Sequence, residues 1–97
     1  MIRHIVLFAW TEDATEEQKA MVATELRKLP DLIPQIRAYT VGDDVGVNQG
    51  NHEFGVVADF DNVDDYLAYR DHPRHQAVVT DHIRPIMAAR AAVQIEA

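Results

Sequence analysis

The sequence predicts an α+β domain from three observations. The opening Ile5-Val6-Leu7-Phe8 is continuously apolar, with no helical spacing. A threonine-led capping signal precedes apolar residues at helical spacing. Strand-like apolar runs then resume after each glycine-rich or helical stretch.

Residues Ile2 to Trp10 read as the first strand, apolar on both faces. Thr11 to Ala14 is a polar connection. Thr15-Glu16-Glu17-Gln18 is a capping box in which each side chain reaches the other's backbone amide. Val22, Leu26 and Leu29 form the buried stripe of the helix that follows, and Pro30 is expected to stop it, giving a span from Glu16 to Leu29. A second strand is predicted over Ile36 to Val41 and a third over Glu53 to Phe60, joined by the polar, glycine-rich stretch Gly42 to Asn51. Asp61 or Asn62 can cap a second helix running to Asp71, with Val63, Tyr66, Leu67 and Tyr69 facing inward. Pro73 opens another helical segment, whose apolar side is Val78, Val79, Ile83 and Ile86, until Pro85 ends or kinks it. Ala91 to Ile95 is the last strand. This βαββαβ order is the ferredoxin-like arrangement, a four-stranded antiparallel sheet with helices on one face. The strands are also apolar on the opposite face, and no element remains to cover it. A second copy packed sheet to sheet, making a dimeric α/β barrel, is the expected cover.

Ninety-seven residues, 47% of them apolar, make one domain spanning residues 1–97. A net charge of -7 argues against nucleic acid or an anionic membrane surface as partner. The chain has no cysteine, which excludes thiolate catalysis and thiolate metal sites, and no serine, which excludes the serine-histidine-aspartate class. No apolar run reaches the length of a membrane span, and the N-terminus lacks a secretory pattern, so a cytoplasmic protein is expected.

Tyr69-Arg70-Asp71-His72-Pro73-Arg74-His75 is the one segment with a chemical signature. Pro73 forces the backbone to turn at His72, which becomes the N-cap of the next helix, and His75 falls in its first turn. A neutral His75 there can accept a proton at pH 7, while Tyr69 bonds its other nitrogen or polarises a carbonyl. The competing reading is structural: a buried Tyr69–His75 hydrogen bond that locks the helix junction. His4 lies on the strand face of Val6 and Phe8 and is either a satisfied core residue or part of a ligand cavity. His72, His75 and His82 lack the spacing of a zinc site, and Asp43, Asp44 and Asn48 lack that of a calcium loop, so no metal is expected.

The chain resembles the stress-responsive A/B barrel domain family along nearly its whole length. The resemblance rests on Arg3-His4-Ile5-Val6-Leu7-Phe8, Thr15-Glu16-Glu17-Gln18, Ile33-Pro34, Val57-Ala58-Asp59-Phe60 and Tyr69 through His75. One similar plant member is a polyketide cyclase, which closes a linear polyketide acid by an aldol reaction without a cofactor. The resemblance implies His75 as base, Tyr69 as its partner and His4 beside them. It maps the substrate pocket onto Val6, Phe8, Leu26 and Val56 from the first helix and sheet, and onto Val78, Val79 and Ile86 from the last helical segment. Ala23, Leu26, Val78 and Ile86 are smaller than the rings of that pocket. The expected function is therefore binding of a small apolar or carbonyl-containing molecule, with acid-base catalysis on an enolisable carbonyl. A non-enzymatic stress or assembly dimer and a cofactor-free monooxygenase are the alternatives.

Overall fold

A computed structural model describes all residues, 1–97, and its elements follow the expected order. They are β1 (Ile2–Trp10), α1 (Glu16–Leu26), α2 (Leu29–Leu32), β2 (Ala38–Asp43), β3 (Phe54–Phe60), α3 (Val63–Asp71), α4 (Pro73–Val78) and β4 (Met87–Glu96). Between α4 and β4 the helix widens into a π turn over Val79–Ile83 and then tightens into a 3-10 turn over Arg84–Ile86. The four strands form one antiparallel sheet in the order β2-β3-β1-β4, with the helices on one face. This is the ferredoxin-like α+β fold.

Local chemistry explains the boundaries. The Thr15 hydroxyl accepts from the Gln18 amide at 3.1 Å and the Gln18 side chain accepts from the Thr15 amide at 2.9 Å, completing the capping box. The helix it starts ends earlier than expected, at Leu26. Pro30 does not stop a helix but opens α2, because a missing N–H costs nothing in a first turn. At α3 it is Asn62 that caps, accepting from the Asp65 amide at 2.8 Å. Val63 at that helix start is 56% exposed and does not face inward.

Two strands differ from expectation. β2 begins at Ala38, since Pro34–Arg37 are used in a turn closed by the Ile36 amide on the Ile33 carbonyl, and it continues to Asp43, where Gly42 pairs with Gly55. β4 begins at Met87 rather than Ala91. Its alanine-rich start has little strand propensity of its own, and pairing with β1 from Trp10↔Met87 onward imposes the conformation.

The core lies between the sheet and the helices. His4, Val6, Phe8 and Trp10 of β1 and Phe54, Val56, Ala58 and Phe60 of β3 point into it, against Val22 and Leu26 of α1, Tyr69 of α3 and Ile83 and Ile86 beyond α4. On the opposite sheet face Leu7, Val57, Val93 and Ile95 remain exposed within one chain, joined by Ile5 and by the Arg3–Asp59 ion pair at 2.8 Å. The strands are thus apolar on both faces, and the chain covers only one.

These burials predict contrasting costs. Phe60→Ala should lower unfolding stability by about 3–5 kcal/mol in urea denaturation, the usual penalty for emptying a core aromatic site. Val63→Ala should stay within about 0.5 kcal/mol of the parent.

Candidate functional site

The break between α3 and α4 organises the site. Pro73 has no N–H, and the Arg74 amide is taken by Nδ1 of the N-capping His72 at 3.0 Å, so the Arg70 carbonyl loses its helical partners. Two side chains replace them. His75 Nδ1 donates to that carbonyl at 3.0 Å, and Gln76 Nε2 donates to it from the same side. With a carbonyl as its partner Nδ1 must carry the proton, which leaves Nε2 as the acceptor of the His75 ring.

His4 is set the opposite way. Gln94 of β4, directly across from His4 in the sheet, donates its amide N–H to His4 Nδ1 at 2.9 Å. The proton of that ring therefore sits on Nε2. Burial first, and then the charges of Arg90 and His75, lower the His4 pKa to about 4. Burial likewise lowers that of His75, against the bond to Arg70. Both imidazoles are neutral at pH 7, one offering an acceptor and the other a donor.

Tyr69 lies close to both rings, with centroids 4.2 Å from His75 and 6.2 Å from His4. The expected Tyr69–His75 hydrogen bond is not formed. The Tyr69 hydroxyl instead pairs with that of Tyr39 at 2.8 Å. Tyr39 lies thirty positions away, on β2, so the bond ties the sheet to α3. Burial pushes Tyr39 up to about 12 and Tyr69 further in the same direction, so both phenols stay protonated. Tyr69 therefore packs against the imidazole and does not bond to it.

His4, Tyr69 and His75 border a cavity of about 260 Å³ between sheet and helices. Val6, Phe8, Leu26, Val56 and Val79 supply its apolar wall, with His4, Tyr69 and His75 at the polar part. His75, Val79 and Ile83, spaced four residues apart, present one stripe to it. Val78 lies off that stripe and opens onto a shallow groove with Leu29 and Leu32, while Ile86 is core outside the cavity wall. Neither lines the cavity, although the resemblance maps the substrate pocket onto both. The structure adds Tyr66, Arg70, Gln76, Ile83, Arg84 and Arg90 to the lining. Strand parity carries the signal for Arg90, which shares the inner face of β4 with Gln94 once the strand is extended back to Met87. No three histidine or carboxylate side chains converge as a metal-binding group, and no helix is long and apolar enough to cross a membrane.

The family model of the stress-responsive A/B barrel domain matches residues 2–97. The chain belongs to that family. A dimeric ferredoxin-like protein of unknown function from Thermobifida fusca YX is 46% identical, with a TM-score of 0.92 over 99% of this chain and 90% of that one. A dimeric protein of unknown function and ferredoxin-like fold from Bacteroides fragilis NCTC 9343 is 32% identical, with a TM-score of 0.82 over 99% and 95% of the two chains. The hydroxynitrile lyase of Passiflora edulis shares the fold at 16% identity, with a TM-score of 0.84 over 97% and 90%. No curated protein sequence matches this member of the A/B barrel family.

The buried neutral His4 makes stability depend on pH. Between its ordinary value of 6.5 and about 4 the unfolded chain takes up a proton that the folded chain refuses. The stabilisation due to His4 is thus fully present above pH 6.5, falls as the pH drops, and levels off below about 4. At about 1.4 kcal/mol per tenfold change in proton affinity, the His4 contribution lost is roughly 3 kcal/mol, and His75 adds in the same direction. Urea titrations from pH 7 to pH 4 should show this loss, and His4→Gln should remove the larger part of it and leave the His75 share.

Proposed function

We propose that this A/B barrel protein binds a small carbonyl compound in the cavity and moves a proton on it without a cofactor. The opposed tautomers of His75 and His4 carry this reading. An acceptor nitrogen and a donor N–H, both on uncharged rings at one apolar cavity, are what enolisation needs. His75 Nε2 takes a proton from the carbon next to the carbonyl. The C–H electron pair moves into the enolate, and His4 Nε2–H donates a hydrogen bond to its oxygen. The proton then returns to a different atom, giving isomerisation, or the enolate carbon attacks a second carbonyl and His75 protonates the resulting alkoxide. Either path balances within the substrate. At about 260 Å³ the cavity lies below the ~300 Å³ floor of drug-sized sites, which favours a compact substrate.

Exchange of the benzylic protons of phenylacetone into deuterated water, followed by proton NMR, tests this. The protein should exceed an equal concentration of imidazole, and His75→Gln should lower the rate by about 100-fold or more. An unchanged rate in a folded His75→Gln protein overturns the base assignment. No exchange by the parent protein favours the non-enzymatic dimer, and oxygen uptake with a quinol favours the monooxygenase alternative.

The bare apolar sheet face supports a homodimer, as do the dimeric relatives from Thermobifida fusca and Bacteroides fragilis. Val57 sits in the middle of that face, flanked by Thr40 and Ile5. Sedimentation should give twice the 11.0 kDa chain mass, and Val57→Asp, which places an unpaired charge there, should give the single chain. A parent protein that sediments as a monomer at high concentration overturns the dimer.

A further inference from the structure

The cavity wall has a charge pattern opposite to that of the molecule. The chain carries 16 acidic against 9 basic residues, yet no aspartate or glutamate lines the cavity and three arginines do. Arg70 is neutralised by Asp71, with bonds of 2.8 and 3.0 Å. Arg84 and Arg90 have no ion-pair or hydrogen-bond partner for their guanidinium groups. Arg3 and Arg37 are held by Asp59 and Asp61, and Arg27 donates to the Val41 carbonyl. Arg74, the other arginine with a free guanidinium, lies outside this cavity.

We infer that Arg84 and Arg90 form a carboxylate-binding end of the cavity, so that the ligand is a small apolar acid. The inference rests on the cavity being the ligand site. Both arginines are exposed at the rim of the cavity with no partner from the protein, and guanidinium forks match the two oxygens of a carboxylate. The neutral histidines give an anion no competing cation. Arg90 also acts electrostatically on both imidazole rings, so an anion held there lies within the field of the proton-transfer groups. The 3-10 turn presents Arg84 and the edge strand β4 presents Arg90, bringing two separate elements to one cavity.

3-Phenylpropanoate and 3-phenylpropanamide, which share a shape and differ in charge, separate the possibilities in NMR titrations of the full chain. The acid should bind about tenfold tighter or more than the amide, equivalent to about 1.4 kcal/mol. In the Arg84→Gln/Arg90→Gln double variant, shown folded by circular dichroism, that preference should vanish. In Arg74→Gln, which changes net charge away from the cavity, it should persist. Equal binding of acid and amide by the parent protein, or a preference surviving the double variant, overturns the carboxylate assignment and leaves the cavity as a ligand site. Binding of neither probe overturns both.

Discussion

The site depends on one displaced hydrogen bond. A proline at position 73 has no amide proton to give, and His72 takes the amide of Arg74 for its own ring, so the Arg70 carbonyl is left open at the end of α3. An unpaired carbonyl at a half-buried corner is costly, and the His75 ring satisfies it. One constraint therefore ends a helix, starts the next, holds an imidazole in place and fixes which of its nitrogens carries the proton. The structural and chemical readings of the Tyr69–His75 segment are not rivals, because the bond that locks the junction also puts the proton on His75 Nδ1 and leaves Nε2 as an acceptor.

The opposite face of the cavity repeats the logic with different parts. His4 is held from the sheet by Gln94, and burial prevents it from charging. Two histidines in one small cavity would repel each other if both were protonated, so their neutrality is a condition of the packing. The Tyr39–Tyr69 pair keeps a third polar group satisfied and leaves Tyr69 to serve as an aromatic surface against His75.

Much of this is visible in the sequence wherever the signal is local. The capping box at Thr15, the N-cap at His72 and the apolar run of β1 each depend on residues within a few positions of one another. The elements misjudged depend on distant partners. The alanines of β4 take strand form because β1 lies beside them, and Tyr69 bonds to a tyrosine thirty positions earlier that no short-range pattern links to it. Pro30 carries the opposite lesson, since the same residue ends one helix or begins another according to whether the chain has already turned. Arg84 and Arg90 read in sequence as ordinary solvated charges. Only the fold brings the last turn and the last strand to the border of one cavity.

The division of labour within the cavity wall bears on how the family can diversify. The aliphatic and aromatic lining from β1, β3 and α1 is shared with the core, so changing it risks the fold. Arg84 and Arg90 sit on a terminal turn and a border strand, where exposed side chains can be exchanged with little effect on packing. Replacements at the rim can thus change the charge at the cavity mouth while the packed wall beneath stays as it is.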